Sequence, residues 1–295
     1  MMNRQEKLGL IAGLLAVCCW SGFVLVARHG GQTPLLPWDQ VALRFGVGGL
    51  LLLPWARRWF VFHWKGLVLV LVGGLGYGLT VYQGFKLTSA VHASVLLPGM
   101  IPFAAALFCV LLLRERPDGK RLTGLLLIAA GGLMMLDSGA HDGMRPGDLW
   151  LLAAVSSWGC YTVLIRRWRI PPLSGAVTTA VGSALLYLPV YITLLPHRMH
   201  SAGWPDLLLQ AFYQGVIATI VAMLLYLRAV VSIGPAAMGA LMALVPVLSG
   251  LAAVPLLGES LNPQEAAALL VTSLGALFAS GLLRRRSLTL QWARR

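Results

Sequence analysis

Charged residues are scarce in this sequence, and acidic residues are the scarcest. Only 11% of the 295 residues are Asp, Glu, Lys or Arg, and ten of them are Asp or Glu. Charged residues make up about a quarter of ordinary soluble domains. Because 58% of the residues are hydrophobic, most of the chain has no face for water to solvate. The composition therefore excludes a soluble fold and predicts an all-α membrane protein.

Enzyme motifs and ligand clusters are also missing. The sequence contains no P-loop, no HExxH and no GxSxG motif, so we expect neither enzymatic activity nor a cofactor. Its cysteines lie inside apolar runs without a CxxC pair, which predicts neither a disulfide nor a metal site. These cysteines are Cys18, Cys19, Cys109 and Cys160.

The net charge is +13, which by itself could suggest a nucleic-acid partner. The basic residues, however, lie in short clusters between apolar runs and form no continuous basic stripe. We therefore expect the lipid bilayer and a small-molecule substrate as partners, and no nucleic acid. The chain is expected to be a monomer or a homodimer.

Ten apolar runs are each long enough, or nearly so, to cross a membrane as a helix. The first run resembles a signal sequence, but it has the length of a full span and no A-x-A-like cleavage site follows it, so we interpret it as a retained helix. The runs are 8–27, 38–56, 66–86, 90–113, 120–136, 148–165, 173–195, 207–228, 234–257 and 264–283.

The basic residues lie mainly on one side of these runs. With a cytoplasmic N-terminus, 18 of the 23 Lys and Arg residues fall in cytoplasmic segments, four fall on the opposite side, and Arg44 falls within a run. The positive-inside rule expects such an excess, so we predict two cytoplasmic termini in a multi-pass protein of the inner membrane. The four opposite residues are Arg28, Lys86, Arg145 and Arg198, and five of the 18 lie in the tail, at Arg284, Arg285, Arg286, Arg294 and Arg295.

The second half of the sequence repeats the first. A constant offset of 144 gives thirteen identities over positions 82–133, and an offset of 138 aligns 16–28 with 154–166. Since each unit has five helices, an odd number, the two copies must be inverted in the membrane, as in many transporters. We place the units at 1–140 and 146–286, before a basic tail at 287–295. The aligned pairs are Tyr82 and Tyr226, Pro102 and Pro246, Glu115 and Glu259, Gly131 and Gly275, Trp20 and Trp158, and Arg28 and Arg166.

The segments 86–116, 124–136 and 230–261 together resemble the EamA domain of the drug/metabolite transporter superfamily. The resemblance covers essentially the whole chain. It implies ten helices in two inverted five-helix bundles, a central cavity, and often the export of amino acids or related metabolites.

Aromatic residues within the runs are the first candidates for that cavity. Indole and phenol groups combine an apolar face with a polar tip, which suits an amphipathic ligand, although the same residues also serve in helix packing or as interfacial anchors. A phenol in hydrocarbon needs a partner, which favours the bundle interior. The candidates are Trp20, Tyr77, Tyr82, Trp158, Tyr161 and Tyr226, with Tyr187 a further intramembrane tyrosine.

Charged and helix-breaking residues add further hypotheses. Arg44 either binds a carboxylate or phosphate of the substrate or forms a structural ion pair near Asp39. Lys86 and His92 flank the turn between the third and fourth helices, where they either line an entrance or, as we expect, lie in a solvated loop. Helix hinges are predicted where proline removes a helix hydrogen bond, at Pro102 and Pro246.

The last predictions concern two glutamates and the lack of an acidic residue in mid-span. Glu115 and Glu259 should lie on opposite membrane faces as helix-end caps or loop ion pairs. No Asp or Glu falls securely in mid-span, so the sequence does not support a proton relay. Taken together, the sequence predicts a secondary transporter that exports amino acids or related amphipathic metabolites by alternating access. Broad drug efflux, a membrane enzyme and a non-transporting sensor are the alternatives.

Overall fold

The computed structural model describes residues 4–138 and 145–282. The tail predicted at 287–295, and the arginines that precede it at 284–286, lie outside the described residues. Within the described ranges the chain folds into helices and forms no strand.

The described residues form ten helical segments. Eight are long and apolar enough to cross a membrane, and α10 is a shorter apolar helix. The remaining segment, α2, carries Asp39, Arg44, Arg57 and Arg58. The bounds are α1 Arg4–Gln32, α2 Pro37–Trp59, α3 Trp64–Leu87, α4 Ala90–Leu113, α5 Gly119–Asp137, α6 Pro146–Arg167, α7 Pro172–Leu194, α8 Trp204–Ile233, α9 Pro235–Leu257 and α10 Pro263–Ala279.

Proline and acidic side chains explain where several helices begin. Proline is in the first turn of α2, α6 and α10, where its missing N–H costs no hydrogen bond. In the same turn a carboxylate accepts the backbone N–H of the residue that precedes the helix: Asp39 from Leu36 at 2.8 Å, and Glu265 from Asn262 at 2.9 Å. Asp148 does the same in α6. These bonds satisfy amides that lipid could not.

Short connections reverse the chain between consecutive helices, so the helix ends fall into two layers. We call the layer that contains the ends of α1, α3, α5, α7 and α9 the Glu259 end. The opposite layer, which contains the ends of α2, α4, α6, α8 and α10, is the Glu115 end. Each name comes from the glutamate that follows a helix there.

The most extensive helix contacts join the two halves of the chain. They are α5 with α10, α2 with α7, α1 with α8, α3 with α6, and α4 with α6; α1 also contacts α9. Adding or subtracting five from both helix numbers turns each of these pairs either into itself or into another pair of the same set. Two halves related by a two-fold axis would make contacts of this kind.

The outside of the bundle is apolar. Leu50, Ile192, Leu194 and Val231 are 67%, 69%, 77% and 85% exposed. Exposed aliphatic side chains in such number suit contact with lipid tails rather than with water. The structure is that of a multi-pass membrane protein.

Helices α5 and α10 approach so closely at glycines that their backbones touch. A Cβ atom added at Gly275 would lie 2.7 Å from the backbone nitrogen of Ile128. We therefore expect Gly275→Leu to push the helices apart and to destabilise the fold by about 1–3 kcal/mol or more. The loss should appear as a lower melting temperature in detergent. The matched control is Gly119→Leu, because a Cβ atom at Gly119 has no neighbour within 4 Å. Equal melting temperatures for both variants would contradict this packing.

Candidate functional site

Arg44 lies inside the bundle among aromatic rings. The central carbon of its guanidinium is 5.3 Å from the ring centre of Phe23 on α1 and 5.6 Å from that of Tyr77 on α3. Its Nε and Nη1 atoms are buried and have no hydrogen-bond partner among the described residues. The hydroxyl of Tyr82 also interacts with the guanidinium. The Nε and Nη1 donors nevertheless stay unused, and they can bind an anionic group.

Asp39, the alternative partner for Arg44, is engaged elsewhere. It is fully buried, and it accepts hydrogen bonds from the hydroxyl of Tyr191 and from the backbone N–H groups of Leu36 and Arg198. The ion pair between Arg44 and Asp39 is therefore not formed in this structure. The carboxylate ties α2 to the end of α7 instead.

Three of the predicted aromatic residues form one continuous chain beside Arg44. The rings of Tyr77 and Trp158 have centres 5.0 Å apart, and those of Trp158 and Tyr161 are 5.1 Å apart. Gly73, one turn before Tyr77, makes room for Tyr161, because a Cβ atom there would overlap the tyrosine ring. The chain joins α3 to α6, and so joins the two halves.

Tyr82 and Gln214 meet in the interior next to this chain. Tyr82 is fully buried, and its hydroxyl donates to Oε1 of Gln214 at 3.0 Å. The amide of Gln214 donates in turn to Gln210 at 3.3 Å, and that of Gln210 to the carbonyl of Val26 at 2.6 Å. The result is a polar line from the centre of the bundle towards the Glu259 end.

Trp20 and Tyr226 form a second aromatic group, on α1 and α8. Their ring centres are 5.5 Å apart in an edge-to-face arrangement. Trp20 packs against both the main core and a smaller cluster between α1, α8 and α9. The structure thus divides these aromatic candidates into two groups. One lies beside Arg44, which also contacts Phe23 of α1, and the other lies between α1 and α8.

The predicted hinge prolines lie where helices are interrupted. Pro102 follows a break at Met100 in α4, and Pro246 follows a break at residues 243–244 in α9. In both cases proline sits in the first turn of the resumed helix. The hinge role itself remains a prediction.

Three buried glutamines were not predicted as site residues. Gln210 and Gln214 belong to the polar line that begins at Tyr82, and the third is Gln40. Gln40 is fully buried on the face of α2 that also carries Arg44, and both of its amide atoms lack partners within the described parts of the chain. A glutamine inside an apolar run is a usable clue, because an amide in hydrocarbon must find a partner or line a polar space.

The expectation of a solvated loop is wrong for His92, whereas Lys86 is half-buried in the last turn of α3. His92 is fully buried: Nδ1 lies 3.2 Å from Asp148 and Nε2 lies 3.3 Å from Glu265. Because each ring nitrogen faces a carboxylate, an imidazolium, which donates from both nitrogens, satisfies the cluster. Lys86 donates to the carbonyl of Thr33 at 3.1 Å. Lys86 is the last residue of one predicted run and His92 is the third residue of the next, so their position along the chain gave no indication of the burial of His92.

The ion pairs of the two ends differ in burial. At the Glu259 end, Nε of Arg28 is 3.0 Å from Glu259, and these side chains are 18% and 9% exposed. At the Glu115 end, Arg166 pairs with Glu115 at 2.8 Å, but these side chains are 58% and 50% exposed. The ion pair at the Glu259 end is therefore the more buried of the two.

Two pockets open near the Glu115 end and contain none of the predicted cavity residues. One, of about 260 Å³, lies between the α2–α3 connection and α7. The other, of about 320 Å³, lies between the first residues of α5 and the residues at the end of α10 and just after it. The candidate site is therefore defined by Arg44 and its neighbours and not by these pockets.

Comparison with known proteins gives consistent matches along the chain. The sequence profile of the EamA-like transporter family matches residues 7–136 and 145–281. A "Probable amino-acid metabolite efflux pump" of Salmonella typhimurium is 29% identical, over 90% of this chain and 91% of its own length. The "Uncharacterized transporter YyaM" of Bacillus subtilis is 24% identical, over 74% of this chain and 73% of its own. A solved crystal structure has the same fold, with a TM-score of 0.64 and 23% identity over 94% of this chain and 98% of its own.

Proposed function

The chain belongs to the EamA-like transporter family, and on that premise we propose that it is a secondary transporter that exports amino acids or related amphipathic metabolites across the inner membrane. Ten membrane crossings, in two inverted repeats with both termini cytoplasmic, are part of this proposal. The contacts between halves described above support the repeats. The outward direction rests on the family resemblance.

The observation that carries the proposal is that two hydrogen-bond donors of the buried Arg44 guanidinium, Nε and Nη1, have no partner among the described residues. Placing an arginine in the middle of a membrane helix costs about 2.5–3.5 kcal/mol on insertion scales. Here no carboxylate of the described residues pairs with it. A substrate carboxylate would supply the missing acceptor for one of the two free donors, Nε or Nη1, in a charge-assisted hydrogen bond.

The surrounding rings suit the rest of such a substrate. Phe23 and Tyr77 flank the guanidinium, and Trp158 extends the aromatic surface away from it. Aromatic faces accept an apolar side chain and also attract an ammonium group. An amino acid with an apolar side chain therefore matches both the guanidinium and the aromatic rings of the site.

Exchange across a membrane tests this function directly. The purified protein is reconstituted in liposomes loaded with unlabelled L-leucine, and the entry of radiolabelled L-leucine is followed. We expect counterflow above that of protein-free liposomes, and a much smaller effect when the liposomes contain L-leucinamide, which lacks the carboxylate. The amide is the matched control because its side chain and amino group are unchanged.

Three other results would speak against this assignment. No counterflow with any amino acid of a panel, from folded protein, would remove amino acids as substrates. Equal counterflow with leucine and leucinamide would remove the carboxylate from recognition. Transport restricted to hydrophobic cations would favour broad drug efflux instead.

A further inference from the structure

Glu115 and Glu259 occupy structurally equivalent helix ends. The backbone amide of Glu115 donates to the carbonyl of Cys109 at 3.2 Å, and that of Glu259 donates to the carbonyl of Ala253 at 3.4 Å. The residue before each glutamate is left-handed, with φ of 57° and 67°. The same closing turn thus stops α4 and α9, and it does so at positions 144 residues apart.

Their arginine partners are equivalent as well. Glu259 pairs with Arg28 at the end of α1, and Glu115 pairs with Arg166 at the end of α6. Arg28 and Arg166 are aligned by the repeat at the offset of 138. Each ion pair therefore joins an arginine of one half to a glutamate of the other, and the two pairs lie at opposite ends of the bundle.

Among the described residues, it is the pair at the Glu259 end that is engaged with a helix start. Glu259 accepts the first two amides of α4, from Ala90 at 3.0 Å and Val91 at 3.1 Å. Arg28 donates from Nη1 to the carbonyl of Phe85 at 2.9 Å, at the end of α3. These bonds satisfy first-turn amides and place a negative charge at the positive end of a helix dipole. They hold the α3–α4 turn against the ends of α1 and α9.

Within the described parts of the chain, the other pair makes no such contact, although an equivalent helix start lies at its end of the bundle. Arg166 and Glu115 bind each other in solvent, and the equivalent start belongs to α9. Ala236 and Ala237 are in the first turn of α9, where amides have no partner within the helix. Both are half-buried. The ion pair at the Glu115 end is thus formed, but it is released from the start of α9.

We propose that these two ion pairs are the two gates of the transporter, and that each alternates between an engaged, buried state and a released, exposed state. In this structure the pair at the Glu259 end is then engaged and the pair at the Glu115 end is released. In the opposite state Glu115 engages the start of α9 while Glu259 leaves the start of α4. This rests on the proposed transport function and on the inverted repeat, in which the halves exchange roles.

Thiol labelling tests the exchange without any substrate. The natural cysteines are replaced by alanine, and one reporter is introduced: Ala27→Cys, fully buried beside Arg28, or Ala236→Cys at the start of α9. Purified protein in nanodiscs reacts with a water-soluble maleimide. Glu259→Gln removes the charge of the closed gate, and since hydrogen bonds to charged groups are worth about one or two powers of ten in a population, we expect Ala27→Cys to react about tenfold faster or more.

The second reporter and the matched variant make the test specific. In Glu259→Gln, Ala236→Cys should react more slowly, because closing of the Glu115 end covers α9. Glu115→Gln should produce neither change. Arg28→Gln breaks the same gate from the other side and serves if Glu259→Gln does not elute as a folded protein in gel filtration.

Three results would overturn the proposal. Unchanged labelling of both reporters would show that the Glu259 pair does not hold a gate. Faster labelling at position 27 without protection at position 236 would indicate local fraying of α4 rather than an exchange. Equal effects of Glu259→Gln and Glu115→Gln would remove the asymmetry. Because no substrate is used, each outcome is separate from success or failure of leucine counterflow.

Discussion

Arg44→Gln is expected to lower leucine counterflow by between about tenfold and a hundredfold, while the melting temperature stays the same or rises. Loss of a charge-assisted hydrogen bond to the substrate accounts for the first effect. The second follows because a buried guanidinium with two unused donors costs free energy in the empty protein, and glutamine removes that charge. Counterflow and thermal unfolding in detergent measure the two effects.

The opposite directions separate binding from a structural role. If Arg44 held the helices together, both transport and melting temperature would fall, and that result would contradict the site. Arg44→Lys keeps the charge but loses the Nε and Nη1 donors of the guanidinium, so it should weaken carboxylate substrates more than neutral ones. Arg57→Gln is the control, because Arg57 is exposed on the same helix.

His92→Ala is expected to destabilise the fold more than any other single change discussed. The substitution would leave the carboxylates of Asp148 and Glu265 buried without their shared cation. Removing one partner of a buried ion pair costs about 3–5 kcal/mol. The cost should appear as a large fall in melting temperature, in detergent and without ligand.

A triple variant and a surface histidine control this prediction. With Asp148→Asn and Glu265→Gln added, His92→Ala should recover part of the lost stability, because no unpaired charge remains. His200→Ala should have little effect, since His200 is exposed. If His92→Ala melted like His200→Ala, the cluster would not be the ionic contact between α4, α6 and α10 that the distances indicate.

The helices themselves could be predicted closely, because an apolar run of span length has few other solutions in a membrane. The run at 90–113 matches α4 at both ends, and 234–257 begins one residue before α9. Proline and acidic residues at helix starts, as at Asp148 and Glu265, also lie in the sequence itself. Helix existence depends on local composition, which periodicity and length reveal.

The candidate site was predicted only in part. Arg44 stood out because a charge inside an apolar run is costly wherever the helix packs. His92 did not, because a histidine near a helix end can equally be solvated or buried. Its burial depends on Asp148 and Glu265, which are more than 50 residues away along the chain and reach it only after α6 and α10 have packed against α4.

By itself, the sequence determined the all-helical membrane fold, the approximate helix bounds, the repeat and the family. Only the tertiary structure decided which polar groups meet: that Arg44 faces rings rather than Asp39, that His92 binds two carboxylates, and that Glu259 engages α4 while Glu115 is released. The physical reason is that lipid is as apolar as the interior of a helix bundle, so hydrophobicity alone does not specify which face of a helix meets which neighbour. Those choices are made by close packing and by the few polar groups that must find partners, and both depend on residues far apart in the chain.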